Sequence, residues 1–217
     1  MRTRLGKLSP LLCALIATGA GAQVSAPRAA SPNHLNGSKS SYLQRASQQP
    51  TDWYPWGEEA FRKAKDLDRP ILLDLGADWC PYCAQMDRES YERPEMSKFI
   101  NDHLVSIKVD YDMQPEIAAR LQRAQAYMNL PAGLPLTTFL SPSGKLYFGG
   151  YFPEEPHGGK SSLGEMLERA LCMFREQRKT IESEGVGVRT REGVQLQEKH
   201  KEVAGVRFAH RRGDLFV

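Results

Sequence analysis

Short apolar runs, separated by polar and turn-forming residues, mark the expected strands of this chain. Residues 70–76, 104–110 and 136–140 are rich in branched apolar side chains, as expected for buried strands of a sheet. The sequence Ser-Pro-Ser-Gly at 141–144 predicts a tight turn, and residues 145–152 predict a strand that returns beside the third run. We therefore expect four strands, of which the last two form a hairpin.

The segments between these runs carry apolar residues at helical spacing. They predict helices over residues 57–67, from Cys80, from Pro94, over residues 115–127 and from residue 162. An aromatic cluster precedes the first of these helices and is expected to pack in the core: Trp53, Tyr54 and Trp56. The order of elements predicts an α/β fold with a central mixed β-sheet flanked by helices and preceded by an N-terminal helical extension.

The two ends of the chain differ in composition from its middle. Residues 1–22 combine a basic start, a short apolar core and the sequence Ala-Gly-Ala, which is the pattern of a signal peptide. Residues 23–41 are small, polar and Pro-containing, and predict a flexible leader. We expect a domain over residues 42–182 and a charged, poorly ordered tail over residues 183–217. The apolar core of the signal is too short to span a bilayer, although a membrane anchor is the alternative interpretation.

Removal of such a signal changes the charge balance of the protein. The whole chain has 29 basic and 26 acidic residues, but three basic residues and no acidic ones lie in residues 1–22. The remainder is balanced, so we expect no nucleic-acid partner. We expect a periplasmic or secreted protein without stable membrane insertion once the signal is removed.

The most informative motif is Cys80-Pro81-Tyr82-Cys83, at the end of an apolar run and at the start of a helix. This C-x-x-C placement is typical of a redox-active dithiol, with a structural disulfide or half of a zinc site as alternatives. A helix N-terminus stabilises a thiolate, so Cys80 is the expected nucleophile and Cys83 the resolving thiol. We expect Cys172, on the last helix, to be a packed small hydrophobic residue.

Three features at matching spacing make the chain resemble the thioredoxin superfamily over about residues 50–180. They are the segment 79–83, the acidic Asp74 six residues before Cys80, and Leu134-Pro135 just before the strand at 136–140. Segment 74–80 resembles the C-terminal domain of DsbD-type disulfide interchange proteins. Segments 52–61, 105–110 and 148–153 resemble the thioredoxin-like domain of the spermatogenesis-associated type, although that group usually has His-Trp between its cysteines.

The resemblance implies roles for residues around the dithiol. Burial of Asp74 in an apolar strand is expected to raise its pKa, and the residue is expected to accept the proton of Cys83. A cis Pro135 would place the Leu134 backbone where a substrate strand can pair with it. We also expect substrate contacts from Trp79, Pro81 and Tyr82. Asp78 is expected in an exposed loop, and a lysine partner for Asp74 is left open, with Ser106 at the aligned position and Lys108 nearby.

Together these observations predict an exported thiol–disulfide oxidoreductase without a cofactor or metal. Its expected partners are disulfide-containing protein substrates and a redox donor or acceptor protein. The likeness to DsbD-type proteins favours reduction, although the residues do not encode the direction of electron flow. The alternatives are a thiol module that carries Cu(I) and a redox-inactive, thioredoxin-like interaction domain.

Overall fold

Six strands form one sheet in the computed structural model, which describes residues 32–129, 133–151 and 162–189. The strands are β1 (Trp53–Tyr54), β2 (Ile71–Gly76), β3 (Val105–Asp110), β4 (Leu136–Leu140), β5 (Lys145–Tyr151) and β6 (Val186–Gly187). Their order in the sheet is β1-β3-β2-β4-β5-β6. β3 pairs in parallel with β1 and β2, whereas β4, β5 and β6 join in antiparallel orientation. The sheet is therefore mixed, as predicted.

Helices cover both faces of this sheet. They are α1 (Ser41–Ala46), α2 (Glu58–Leu67), α3 (Pro81–Met86), α4 (Pro94–His103), α5 (Pro115–Tyr127), α6 (Ser162–Glu176) and α7 (Arg178–Glu184). A π-helical turn, Asp87–Tyr91, continues α3. Apolar residues of α2 and α5 pack on one face of the sheet, and those of α1, α3, α4 and α6 pack on the other. The core therefore consists of two apolar layers on either side of the central strands.

The central strand β2 brings one charged group into this core. All six of its residues are buried. Ile71, Leu73 and Leu75 belong to the layer of α2 and α5, whereas Leu72 belongs to the layer of α1 and α3. Because side chains alternate along a strand, Asp74 falls on the same face as Leu72. The strand thus places a buried carboxyl group on the face of the sheet that α1 and α3 cover.

The ordered part of the chain extends beyond both predicted domain boundaries. Before residue 42, Leu35 is buried and the Ser40 side chain caps α1 by accepting a hydrogen bond from the Leu43 N–H. After residue 182, β6 pairs with the start of β5. Residues 32–41 and 183–189 are thus part of the fold, because each contributes pairing or packing that neighbouring segments need. The predicted signal peptide, residues 23–31, Phe152 and residues 190–217 lie outside the described residues.

This architecture is a thioredoxin fold, and α1 is its N-terminal helical extension, which confirms the predicted fold class. The predicted aromatic cluster is confirmed in part, since Trp53 and Tyr54 are buried but also form the unexpected strand β1. Cys172 is half-buried instead of packed in the core, since it lies beside the apolar face of α6. Within the described ranges, no helix has the length and apolar character needed to cross a membrane.

Candidate functional site

The cysteine pair lies where β2 passes into α3. Cys80 is the N-cap of α3, with Pro81 in the first turn, and its Sγ accepts a hydrogen bond of 3.1 Å from the Cys83 N–H. Proline is well suited to the start of a helix because its missing N–H would have no partner there. The two residues form a disulfide with their Cα atoms 5.2 Å apart. The first turn of α3 therefore holds the two sulfurs close enough to bond, and its Cys83 N–H donates a hydrogen bond to Cys80 Sγ.

The two cysteines differ in their access to the surface. Cys80 is 4% exposed and lines a groove of about 360 Å³, whereas Cys83 is 1% exposed and does not line it. An incoming disulfide can therefore approach Cys80 from the groove but not Cys83. This asymmetry agrees with the predicted roles of Cys80 as nucleophile and Cys83 as resolving thiol.

This groove is lined by side chains that we predicted from the sequence to contact the substrate. Its lining includes Trp79, Pro81, Tyr82 and Leu134 together with Cys80. Trp79 and Tyr82 are 63% and 49% exposed, which is unusual for large aromatic side chains. The groove thus offers an exposed apolar surface next to the disulfide.

Backbone and side-chain contacts fix the groove's two walls. The peptide bond between Leu134 and Pro135 is cis, as predicted. On the other wall, Trp79 Nε1 donates a 2.8 Å hydrogen bond to Asp112, and its ring meets Tyr111 edge-on. Trp79 is therefore held in place as part of the groove that Cys80 also lines.

Asp74 is buried on the face of β2 that packs against the core layer containing Cys83. Its Oδ2 accepts hydrogen bonds from the Tyr42 hydroxyl at 3.1 Å and from Lys108 Nζ at 2.7 Å. Its Oδ1 is buried and has no hydrogen-bond partner among the described residues. Burial raises the pKa of Asp74, although the charge of Lys108 opposes this shift. A carboxyl group with a raised pKa and one free oxygen is suited to accept a proton.

Lys108 is the partner of Asp74, which settles the question that the sequence left open. β3 pairs with β2 in a register that sets Lys108 opposite Asp74, whereas Ser106 lies opposite Leu72. Lys108 is fully buried and also binds Asp87 Oδ1 at 2.9 Å. Burial disfavours its charge, but the two carboxylates outweigh burial and raise its pKa above the usual value. The available sequence signal was a lysine between the apolar residues Ile107 and Val109 of a predicted buried strand.

Aromatic rings enclose the Lys108 ammonium. Its Nζ lies 4.8, 4.9 and 5.0 Å from the ring centres of Tyr42, Trp53 and Tyr91, respectively. Such cation–π contacts help to stabilise a desolvated ammonium. Tyr91 comes from the π-helical turn, whose first residue, Asp87, supplies the second carboxylate. The unusual helical turn therefore brings both a charge and a ring to the buried lysine.

Asp78 lies in the loop before Cys80 and links that loop to α1. It accepts a 2.8 Å hydrogen bond from the Ser41 hydroxyl and forms a salt bridge with Arg45. These hydrogen bonds, from Ser41 first and then from Arg45, lower the pKa of Asp78. The residue is exposed, as predicted, and its contacts attach the N-terminal helix to the dithiol loop.

The third thiol, Cys172, lies elsewhere on the surface of α6. A hydrogen bond to Glu176 is the main cause that raises the pKa of its thiol. A raised pKa leaves less thiolate at neutral pH, which makes this cysteine a weak nucleophile. No cluster of three or more His, Cys, Asp or Glu side chains with the geometry to hold a metal ion occurs in the described part of the chain.

A thioredoxin fold with a C-x-x-C pair at the start of α3 defines a thioredoxin-like dithiol protein, and these features fit a thiol–disulfide oxidoreductase in general. The chain belongs to the family described as "Protein of unknown function, DUF255" (Thioredox_DsbH), whose model matches residues 32–191.

Two curated relatives illustrate this family. Spermatogenesis-associated protein 20 of Homo sapiens is 34% identical over 162 residues, which are 74% of this chain and 20% of the relative. An uncharacterized protein of Caenorhabditis elegans is 33% identical over 157 residues, which are 72% of this chain and 22% of the relative. The chain thus spans about a fifth of the length of these relatives.

Two solved structures illustrate the similarity in fold. The structure titled "DsbH Oxidoreductase" has a TM-score of 0.44 and 24% identity, and the match covers 57% of this chain and 85% of that one. The oxidised C-terminal domain of DsbD from Neisseria meningitidis has a TM-score of 0.38 and 21% identity, over 52% and 90% of the two chains. The family match confirms the predicted membership of the thioredoxin superfamily.

Proposed function

We propose that this chain is an exported thiol–disulfide oxidoreductase that reduces or exchanges disulfides of protein substrates through Cys80 and Cys83. The observation that carries this proposal is the arrangement of the two sulfurs. Cys80 lines an exposed apolar groove, whereas Cys83 is buried in the core layer that the buried Asp74 carboxyl group faces. This arrangement supplies a nucleophile, a resolving thiol and a proton acceptor in the order in which exchange needs them.

The proposed reaction proceeds in two displacements. The Cys80 thiolate attacks one sulfur of a substrate disulfide, the substrate S–S bond breaks, and the second substrate sulfur leaves as a thiolate that takes a proton from water. Cys83 then gives its proton to Asp74 and attacks the Cys80 sulfur. The mixed disulfide breaks, and the remaining substrate sulfur leaves as a thiolate that is protonated in turn. Two electrons have passed to the substrate, and the chain ends with the Cys80–Cys83 disulfide.

Contacts and exposed groups around the dithiol support the first displacement and substrate binding. The Cys83 N–H bound to Cys80 Sγ stabilises the attacking thiolate, and the orientation of α3 adds to this effect. The exposed rings of Trp79 and Tyr82 provide an apolar surface for a substrate segment. The Leu134 backbone, which precedes cis Pro135, would pair with that segment as an added strand.

A complete cycle requires a second protein partner. The oxidised chain must regain two electrons before it reduces another substrate, and no cofactor is invoked to supply them. A partner with a reactive dithiol would deliver these electrons by the same exchange chemistry at Cys80. We propose that electrons flow from that partner to the protein substrate.

The reduction potential of the Cys80–Cys83 pair tests this direction of flow. Equilibration of the protein with glutathione buffers, followed by alkylation and intact-mass measurement, gives the ratio of dithiol to disulfide. We expect a single two-electron transition near about −270 mV, as for a reductant. A potential near about −120 mV would reverse the proposed direction, and the absence of any intramolecular disulfide would exclude the proposed chemistry.

Export of the protein rests on the signal-like composition of residues 1–22. We expect the protein isolated from the periplasm or the medium to begin at Gln23, which N-terminal sequencing would show. Protein that retains Met1 and stays in the cytoplasm would contradict export without affecting the dithiol chemistry. The two parts of the proposal can therefore be tested separately.

A further inference from the structure

Tyr42 connects the N-terminal helix to the chemistry proposed for the dithiol. The residue comes from α1 and is 2% exposed, and its hydroxyl donates to Asp74 Oδ2 at 3.1 Å. Its ring lies 4.8 Å from the Lys108 ammonium. The contacts of Asp78 with Ser41 and Arg45 hold α1 against the loop that precedes Cys80. Tyr42 is thus fixed at both its ring and its hydroxyl.

Gly76 leaves the space that the Tyr42 hydroxyl occupies. A Cβ at Gly76 would overlap the hydroxyl, and it would lie 3.1 Å from Cys83 Sγ. The backbone of Gly76 is that of an ordinary β-strand residue, so the small side chain is needed for space and not for an unusual backbone angle. The hydroxyl therefore contacts the Asp74 carboxyl group and fills space that borders the resolving sulfur.

The contacts of Asp74 are unequally divided between its two oxygens. Oδ2 accepts hydrogen bonds from both Tyr42 and Lys108, whereas the buried Oδ1 has no hydrogen-bond partner in the described part of the structure. An unpaired buried oxygen is costly and marks a position that calls for an explanation. A proton taken from Cys83 would give that oxygen the hydrogen that it lacks.

We propose that Tyr42 is a positioning residue for proton transfer, which holds the Asp74 carboxyl group through Oδ2 so that Oδ1 receives the proton of Cys83. This role rests on the proposed oxidoreductase function and deepens it. The proton leaves the Cys83 sulfur for Oδ1, and the electron pair left on that sulfur forms the bond to Cys80. Burial and the charge of Asp74 raise the pKa of Tyr42, so its hydroxyl stays protonated and remains a donor throughout.

Loss of the Tyr42 hydroxyl should change how Asp74 titrates. A hydrogen bond donated to a carboxylate favours its charged form, so removal of the donor raises the pKa of Asp74. Charged and titratable groups of neighbouring elements also act on this carboxyl group: Lys108 of β3, and Asp87 and Tyr91 of the π-helical turn. Cys83 of α3 lies on the other side of the space at Gly76. All of these remain in Tyr42→Phe, which also keeps the ring over Lys108.

The test separates the two displacements with 5,5′-dithiobis(2-nitrobenzoate) as the disulfide. Cys13 and Cys172 are replaced by alanine so that only the thiols of Cys80 and Cys83 react with this reagent. The first release of coloured thiolate is bimolecular and reports Cys80, and the second is unimolecular and reports Cys83. In Tyr42→Phe we expect the pH midpoint of the second phase to rise by about one unit, because one hydrogen bond to a charged group is lost. The first phase should change less than about twofold.

Tyr147→Phe is the matched control. It also removes a buried hydroxyl, which donates to the Ala170 carbonyl at 3.1 Å, far from the dithiol in the packing of β5 and α6. We expect both phases to keep the pH dependence of the parent protein. If the two variants slow both phases to the same extent, Tyr42 has only a structural role and the proposal is overturned.

A double variant that combines Tyr42→Phe with Asp74→Asn makes the test independent of small losses in stability. An amide at position 74 has no proton to gain, so the Tyr42→Phe shift in pH midpoint should disappear in the double variant. A shift that persists would overturn the role of Tyr42 while leaving the oxidoreductase function intact. Absence of any unimolecular phase in the parent protein would instead overturn the proposed function and this role with it.

Discussion

Cys83→Ser is expected to accumulate a stable mixed disulfide between Cys80 and its substrate, and to lose turnover completely. The first displacement needs only the Cys80 thiolate, which faces the groove, whereas release of the substrate needs the missing Cys83 sulfur. Non-reducing electrophoresis and mass spectrometry of the trapped adduct would measure this accumulation. The same adduct identifies the natural substrate when the variant is expressed in its own compartment.

Cys80→Ser and Cys172→Ser are the controls for this trapping. Cys80→Ser should trap little, because Cys83 is covered and does not line the groove. Cys172→Ser should behave like the parent protein, because that thiol lies apart on α6 and its pKa is raised. Equal trapping by Cys80→Ser and Cys83→Ser, or none by either, would contradict the assigned order of attack.

Lys108→Met is expected to lower the free energy of unfolding by about 3–5 kcal/mol at pH 7. The variant removes the cation that neutralises Asp74 and Asp87 and leaves two carboxyl groups at a largely desolvated site. Urea denaturation followed by circular dichroism would measure the loss. Lys98→Met is the matched control, since its exposed pair with Asp102 on α4 is screened by solvent and should contribute little to the free energy of unfolding.

The decrease in the free energy of unfolding caused by Lys108→Met should also depend on pH. The pKa of Asp74 is already raised by burial, and without Lys108 it rises further. A carboxyl group with a raised pKa in the folded state favours folding below its unfolded pKa, and this contribution is lost as the pH rises through its folded pKa. The deficit of the variant should therefore shrink towards pH 4 and grow above it. A deficit that stays constant across this range would contradict this prediction, because it would show that the pKa of Asp74 in the folded variant is no higher than in the parent protein.

The central strands and the dithiol were predictable because their signals are local. The apolar runs of β2, β3 and β4 are long enough to show as strands, and the C-x-x-C pair follows β2 directly. The cis bond at Pro135 followed from a resemblance in spacing and is confirmed. These features need no knowledge of which distant segments meet.

The remaining elements depend on contacts between distant segments. β1 and β6 have only two residues each, which is too short for a periodic pattern, and they exist through pairing with β3 and β5. Lys108 was not assigned to Asp74 because the register of two parallel strands is a tertiary property. Tyr42 gave no signal either, since its role arises only when α1 packs against the gap at Gly76.

A single-turnover reaction with a peptide disulfide tests the central claim most directly. The fully reduced protein is mixed with an equimolar peptide that holds one disulfide, and both products are identified by intact mass and peptide mapping. We predict that one peptide disulfide is reduced per chain and that the protein is recovered with Cys80 and Cys83 joined. Recovery of oxidised peptide beside unchanged dithiol protein, or of a lasting adduct on Cys172, would contradict the claim that this pair exchanges disulfides.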